Sequence, residues 1–308
     1  MNNNLIRRLL LLSLAIAIPR GHRALAAAQE NANITEAEAK MFSASADYER
    51  FMGRWSRQLA PEYIAFAGVK NGDRVLDVGT GTGSLAAVLE ATMTSSEIVG
   101  VDPSEGFISY AKKNAKSGRT HFETGDAQAL RFQDSSFDQT MALLVMNFIT
   151  DHSKAIGEMR RVTRPQGVVS ACVWDYDAGM QMLRFFWDEA VALDPVMEPK
   201  DERHMKLSRE GQLGELWNRA GLVNVQQKPV SIDQAYESFD DYWGPFLKGA
   251  GPGGAYVVSL SYVVSLSDER RRELETRIRK RLLGNRENGP FVLKARAWCV
   301  RGEVPKAG

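Results

Sequence analysis

The chain has 308 residues and 44% apolar composition, which is enough to bury a sizeable core as one large domain or one domain with a cap. The formal net charge is only +1. The first 29 residues hold four arginines and no acid, so the rest of the chain carries 35 basic against 38 acidic residues. A near-neutral body without a basic stripe argues against nucleic acid as a partner.

The first 40 residues differ from the body in composition and predict a separate N-terminal extension. Arg7 and Arg8 precede the apolar run Leu9 to Ile18, and Ala24 to Ala27 follow it in a small-x-small pattern. This order is typical of an export signal, and a disordered extension ahead of Met41 is the other interpretation that the residues leave open. The run is too short for a membrane-spanning helix, which needs about 20 apolar residues.

From residue 74 onward, strand-like and helix-like segments alternate. Strands are predicted over 74–78, 98–101, 120–123, 137–144 and 168–174, with amphipathic helices between them. A helix over 212–220 and strands over 223–232 and 291–300 follow. Such alternation indicates right-handed βαβ units. We therefore predict an α/β, Rossmann-like, doubly wound fold whose seven-stranded sheet is mostly parallel, with an antiparallel last strand.

Two aromatic-rich stretches interrupt this alternation, at about 176–206 and 236–267. Met180, Leu183 and Trp187 recur at helical spacing in the first stretch, and Tyr242 and Trp243 lie in the second. Both stretches suit core packing, and both suit a small helical lid over the open end of the sheet. We expect one domain over residues 41–302 that carries these stretches as lid insertions.

The fifth predicted strand carries two local expectations. Cys172 lies within it and Cys299 lies far away in another apolar run, which predicts two buried, inert thiols. In the turn before the strand, Gln166 stands where a glycine would serve a type II turn, so we expect a type I turn.

The segment Val75–Gly83 is the most informative in the chain. A short apolar strand leads into Gly79, Gly81 and Gly83, and a helical pattern begins at Ser84. Glycine has no Cβ, so a ligand can lie against bare backbone there. The N-terminus of the following helix favours a negative group. Together these features predict a nucleotide-type pocket.

Carboxylates decide which nucleotide fits this pocket. Asp77, Asp102 and Asp126 each lie near the end of one of three consecutive predicted strands. A carboxylate at Asp102 suits ribose hydroxyls, and one at Asp126 suits an adenine amine. Three carboxylates would repel a pyrophosphate, whereas S-adenosylmethionine is cationic and has no phosphate. We therefore predict S-adenosylmethionine as cofactor. An NAD-dependent oxidoreductase is disfavoured by Asp77 and by the glycine spacing.

With these motifs the chain resembles the class I S-adenosylmethionine-dependent methyltransferases, and within them the ubiquinone/menaquinone-type branch (methyltransferase type 11). The resemblance rests on Val75–Gly83, Val101–Ser104, Gly125–Ala127, Phe132–Asp138 and Arg160–Gly167. It implies that the cofactor is bound by Asp77, Gly79, Thr80, Gly81, Thr82, Gly83, Asp102, Pro103, Asp126, Ala127 and Leu143. It also implies that Tyr48 and Arg54 close over the cofactor.

The resemblance implies transfer of a methyl group to a small, partly apolar or aromatic acceptor. Leu143 and the pair Asn147-Phe148 depart from the quinone methyltransferase pattern, which argues against a quinone. A general base is needed only for a poorly acidic acceptor. His152 and Asp175 are candidates for that base and neither is assigned. Trp174, Asp175 and Tyr176 are placed to contact the acceptor, and no metal site is expected.

A non-catalytic S-adenosylmethionine-binding protein is the alternative function. The expected partner is a small molecule, with no nucleic acid. Because S-adenosylmethionine is made and kept in the cytosol, we expect the protein to work in the cytoplasm. Export, or a weak membrane association through residues 5–19, is the alternative that the N-terminus leaves open.

Overall fold

The computed structural model describes residues 45–259 and 267–306. The predicted extension over 1–40, with the run at 5–19, lies outside these described residues, as do residues 260–266 of the second aromatic stretch.

A single seven-stranded sheet organises the described chain, in the order β3-β2-β1-β4-β5-β7-β6. Its strands are β1 (Arg74–Val78), β2 (Glu97–Asp102), β3 (Thr120–Thr124), β4 (Phe137–Leu143), β5 (Thr163–Trp174), β6 (Val223–Tyr236) and β7 (Phe291–Glu303). Strands β1 to β5 pair in parallel, and β7 is antiparallel to both neighbours. The predicted fold class is confirmed, including the antiparallel direction of the last strand in the chain.

Helices precede and connect these strands. They are α1 (Arg54–Ala67), α2 (Ser84–Thr92), α3 (Glu105–Asn114), α4 (His152–Val162), α5 (Gln181–Leu193), α6 (Gln212–Arg219), α7 (Phe239–Leu247), α8 (Gly251–Ser259) and α9 (Ser267–Leu283). A helical turn, Ser45–Tyr48, and a π-helical turn, Glu49–Gly53, lead directly into α1. Short 3₁₀ turns at Pro195–Lys200 and Glu202–His204 follow α5.

Helix α1 anchors the start of the described chain to the later strands. Trp55, Leu59 and Tyr63 recur at helical spacing and are fully buried. The Tyr63 hydroxyl lies 2.9 Å from Ser170 Oγ and accepts a hydrogen bond from the Ala142 backbone N–H at 3.1 Å. Because α1 packs on β5, β6 and β7, the turns that precede it are held over the glycine loop.

The two aromatic stretches form a layer of their own. Helices α8 and α9 pack on α5, α7 and α8 pack on each other, and α7 contacts α5 through aromatic side chains. Phe186 of α5 stacks on Phe246 of α7 with ring centroids 4.5 Å apart, and Trp187 and Trp243 are buried beside them. Aromatic burial on this scale contributes several kcal/mol. The stretches therefore hold this layer together through their own aromatic contacts.

Cys172 and Cys299 are buried as expected, but the expectation of two inert thiols is wrong, and so is the expectation of a type I turn. Cys172 and Cys299 form a disulfide, because the antiparallel pairing of β5 with β7 places them directly opposite each other with Cα atoms 4.2 Å apart. Gln166 has φ 64°, the left-handed region that the third residue of a type II turn requires, so the turn is not type I.

Candidate functional site

The glycine loop folds back over the neighbouring strand. The backbone N–H groups of Gly79 and Thr80 both donate to the Val101 carbonyl, at 2.8 and 2.9 Å. Gly79 has φ 68°, and a Cβ there would lie 2.3 Å from the Val145 side chain. Gly81 has φ 54°, and a Cβ there would meet no protein atom within 4 Å. The first glycine is therefore required by packing, whereas the second borders open space.

Asp77 is a buried carboxylate with one oxygen left without a partner. It is 1% exposed, and its Oδ2 accepts a hydrogen bond from Thr80 Oγ1 at 2.7 Å. Its Oδ1 is buried and has no hydrogen-bond partner. Burial raises the pKa of Asp77 to about 7. A buried acceptor of this kind is satisfied when a donor enters beside it.

Asp102 joins the end of β2 to the glycine loop. Its carboxylate accepts hydrogen bonds from the backbone N–H groups of Gly81, at 3.0 Å, and Ser104, at 2.9 Å. Burial raises the pKa of Asp102 above its ordinary value. Each carboxylate oxygen has a second lone pair and can accept a further hydrogen bond.

A cavity lies between the loop and the turns ahead of α1. Six of the predicted cofactor residues line it together with Tyr48, Ser56, Ser84 and Leu85: Asp77, Gly79, Thr80, Gly81, Thr82 and Leu143. Gly83 is the N-cap residue of α2. Pro103 is exposed beside Asp102, and Ala127 is half-buried. The structure thus brings the ends of β1 and β4 together at one cavity, and Asp102 at the end of β2 adjoins it through its hydrogen bond with Gly81.

Asp126 is a predicted cofactor residue that does not line this cavity. It is exposed, and its carboxylate accepts a hydrogen bond at 2.8 Å from the backbone N–H of Gln128, two residues along its own loop. An acid that caps its own turn has a structural role without a ligand. Contact with an adenine stays a prediction.

The helix before the sheet contributes a residue that the sequence interpretation missed. The Glu49 carboxylate accepts hydrogen bonds from the hydroxyls of Thr82 and Ser84, the second at 3.3 Å, and pairs with Arg57. Gly53 makes room for it, since a Cβ there would lie 2.5 Å from the Glu49 carboxyl. A glycine within an otherwise helical pattern was the available signal.

The two residues expected to close over the cofactor lie in different surroundings. Tyr48 lines the cavity, and burial together with the charges of Asp102 and Glu49 raises its pKa. Arg54 does not line the cavity. Its guanidinium makes a bidentate ion pair with Asp241 of α7, at 2.9 and 2.7 Å. The expectation for Arg54 is therefore wrong, because a residue distant in sequence binds it.

The candidate bases at the ends of β4 and β5 have different surroundings. Asp175 is 3% exposed and pairs with Arg296 of β7, whose Nε donates at 2.8 Å. His152 is half-buried, its Nε2 is buried without a hydrogen-bond partner, and burial and the charge of Lys206 lower its pKa. Asp175 is thus committed to an ion pair, and His152 is a neutral imidazole at neutral pH.

Of the residues expected to contact the acceptor at the end of β5, two have other partners. Trp174 is fully buried and its Nε1 donates to Met52 Sδ at 3.3 Å. Asp175 is held by Arg296 as described. Tyr176 is 3% exposed, and burial, followed by the charge of Glu202, raises its pKa.

Among the described residues, no group of three or more His, Cys, Asp and Glu side chains is arranged to hold a metal ion. Within the same residues, no helix has both the length and the apolar character required to cross a membrane.

Residues 76–171 match a methyltransferase domain family. An uncharacterised protein of Mycobacterium tuberculosis is 32% identical over 130 residues, which cover 42% of this chain and 47% of that protein. A demethylmenaquinone methyltransferase of Thermus thermophilus is 37% identical over 117 residues, covering 37% of this chain and 51% of that enzyme. The chain thus spans about half the length of the curated relatives it matches.

Solved structures resemble the fold over a larger share of the chain. A putative methyltransferase of Haloferax volcanii, in complex with the Trm112 methyltransferase activator, has a TM-score of 0.52 at 20% identity and covers 86% of this chain and 97% of its own. A putative methyltransferase of Bacillus halodurans has a TM-score of 0.51 at 15% identity, covering 80% and 99%. Residues 76–171, which include the glycine loop and strands β2 to β4, are thus similar to a methyltransferase domain, and the seven-stranded sheet has the fold of the two solved putative methyltransferases.

Proposed function

We propose that this chain binds S-adenosylmethionine in the cavity beside the glycine loop and transfers its methyl group to a small, partly apolar or aromatic acceptor. The observation that carries the proposal is Asp77, a buried carboxylate with an unpartnered oxygen on the wall of that cavity. A structural aspartate would have both oxygens satisfied, whereas an ammonium group on a ligand would supply the missing donor.

The other cavity groups suit the same ligand. Asp102 holds the loop through two backbone N–H groups and keeps lone pairs for ribose hydroxyls. Gly81 leaves space for a ligand against the backbone. Two buried carboxylates favour a cationic ligand and disfavour a phosphate. These features support a cationic adenosine compound over a dinucleotide.

Bound S-adenosylmethionine supplies a methyl carbon already activated by the sulfonium. The chain therefore has to bind and orient the reactants and to exclude water. Asp77 and Asp102 serve binding. Tyr48 lines the cavity and is placed to close over the bound cofactor.

The aromatic stretches at 176–206 and 236–267 support an apolar or aromatic acceptor, and we propose them as the lid. Their described helices bury Phe186, Trp187 and Trp243 in one layer beside the ends of β6 and β7. Such a layer excludes water from a pocket beneath it. Binding of a nucleic acid would instead require a basic face.

Calorimetry tests the cofactor assignment. We expect Asp102→Ala to weaken S-adenosylmethionine binding by about tenfold to a hundredfold, the range of a charge-assisted hydrogen bond. Asp233→Ala, the same substitution at an exposed site on β6, should leave the affinity unchanged. Normal affinity in Asp102→Ala would contradict the proposal.

Turnover separates the enzyme from a binding protein. Release of S-adenosylhomocysteine with a panel of quinol, phenol and amine acceptors supports catalysis. Tight binding of S-adenosylmethionine without product across the whole panel would favour the non-catalytic alternative.

We propose the cytoplasm as the place of action, because S-adenosylmethionine is made there. The Cys172–Cys299 disulfide argues in the other direction, since disulfides persist mainly in oxidising compartments. Intact-mass analysis of the protein from its own cells tests the proposal, and a first residue at Ala27 or Ala28 would contradict it.

A further inference from the structure

A groove lined by several charged side chains lies between the helical segment that starts α1 and helix α7. Its volume is about 300 Å³. The residues that line it are Arg50, Arg54, Asp240, Asp241, Gly244, Pro245 and Lys248. Arg50 and Arg54 are four residues apart on one continuous helical segment, and the other five recur along one face of α7. The groove is therefore a space between two helical faces, and it shares no lining residue with the cofactor cavity.

Gly244 leaves the α7 side of this groove open, although the described structure does not need a glycine there. Glycine inside a helix costs about 1 kcal/mol relative to alanine. A Cβ at position 244 would meet no atom within 4 Å outside the backbone of its own helix, and the residue is not in the left-handed region. The proline that follows does not require glycine either, since Ala60 precedes Pro61 within α1. Position 244 thus keeps a space that the protein itself does not fill.

The three cations of the groove differ in their partners. Arg54 pairs with Asp241 at 2.7 Å, and Lys248 pairs at 2.9 Å with Asp47, which is not a lining residue. Arg50 is exposed, and within residues 45–259 and 267–306 its guanidinium forms no ion pair. A guanidinium without a carboxylate partner can bind a planar oxyanion through two parallel N–H bonds. Arg50 therefore offers this groove a site for a negative group.

The two aspartates of the groove limit the charge of the ligand. Three cations and two carboxylates give the lining a net charge of +1. Asp240 accepts a hydrogen bond from the Asn288 amide at 3.2 Å and lies 3.8 Å from Arg279, so its negative charge still acts on the groove. A phosphate monoester carries nearly two negative charges at neutral pH and would be repelled by Asp240. A carboxylate carries one charge and matches the shape of a guanidinium.

We propose that this groove binds a small organic carboxylate, with its charged end on Arg50 and its carbon skeleton against Gly244 and Pro245. The proline ring is apolar and the glycine exposes bare backbone, so the body of the ligand is apolar and flat enough to lie against them. The proposal does not depend on the cofactor assignment, because the groove and the cofactor cavity are lined by different residues.

Two probe molecules that differ in charge but have nearly the same shape test the groove. Binding of 4-fluorobenzoate and of 4-fluorobenzamide to the wild type is measured by fluorine NMR titration at neutral pH. We expect the benzoate to bind about tenfold or more tightly than the benzamide, the range of a hydrogen bond to a charged group. Equal affinity of the two probes overturns the proposal.

Variants on the two walls assign that preference to the groove. Arg50→Gln removes the free charge, and Gly244→Leu fills the open side with a residue that favours helix. In each variant we expect the preference for the benzoate to fall to about threefold or less. Arg219→Gln, which removes an exposed arginine from α6, should keep the wild-type preference. Circular dichroism checks folding, and the exposed position of Arg50 makes its variant safe in this respect. A wild-type preference that survives in either folded variant overturns the site.

Discussion

The cofactor cavity and the turn around Glu202 are built from contacts of very different range. Beside the glycine loop, Thr80 donates to Asp77 three residues earlier, and Ser104 donates to Asp102 two residues earlier. Just after the turn around Glu202, Met205 contacts Asn147, 58 positions away. Local contacts leave a motif in the sequence, whereas long-range contacts depend on how the whole chain folds.

The largest effect is expected from a pair of glycine substitutions in the loop. Gly79→Ala forces a Cβ into the Val145 side chain at a positive φ, so we expect it to lower the free energy of unfolding by about 4 kcal/mol. Gly81→Ala meets no protein atom, so only the cost of positive φ remains, about 1 kcal/mol. Urea unfolding of both variants measures the difference.

Ligand binding extends this comparison to the cavity. Gly81→Ala should weaken S-adenosylmethionine binding by more than its small loss of stability accounts for, because the added methyl group occupies cavity space. Calorimetry on the folded variant measures this. Wild-type affinity in Gly81→Ala would show that the cofactor does not lie against this residue.

The next largest effect is a pH dependence of stability caused by Glu202. Its ordinary pKa is 4.5 and its folded pKa is about 7, so unfolded chains ionise it first as the pH rises. The stability that the protonated form contributes is present below about pH 4.5 and is lost as the pH rises through about 7. We expect the free energy of unfolding of Glu202→Gln, measured relative to that of the wild type, to rise by about 3 kcal/mol between pH 5 and pH 8.

The difference in stability between the wild type and Glu202→Gln separates the contribution of Glu202 from those of other titrating groups. Asp77 also has a pKa raised to about 7, and its contribution has the same sign and is common to both. The groups that act on Glu202 are Arg184, Asp201, Tyr176 and the Trp187 indole N–H, and Gln leaves them in place. Urea unfolding curves at both pH values provide the measurement. Parallel pH profiles would mean that Glu202 is not buried as a carboxyl.

The sequence predicted the parts of the molecule whose determinants are local. The seven strands follow from apolar runs and turns. Five of the six predicted cofactor residues that line the cavity come from one continuous segment, 77–82, and the sixth, Leu143, ends β4. The Cys172–Cys299 disulfide could not be predicted, since it depends on the register of β5 against β7. Arg54 was misplaced for the same reason, because Asp241 lies 187 residues away.

The burial of Glu202 was missed because nothing marks this residue in its own segment. It lies in a charged run, which is typical of a solvated surface, and the packing of this turn against α5 buries it. Glu49 was missed although Gly53, four residues later in a helical pattern, was a signal in the sequence.

The smallest effect concerns Glu49, which precedes α1 and reaches the glycine loop across 33 positions in the sequence. Its carboxylate uses the hydroxyls of Thr82 and Ser84 and the charge of Arg57. All three donors suit the carboxylate of S-adenosylmethionine equally well, so Glu49 competes with the cofactor for them. We expect Glu49→Ala to tighten S-adenosylmethionine binding by about threefold to tenfold, the range of one modest hydrogen bond.

Glu62→Ala, at an exposed position on α1, is the matched control. Weaker binding in Glu49→Ala would instead assign Glu49 to direct contact with the cofactor ammonium, and the local cavity would then include a residue from outside its motif.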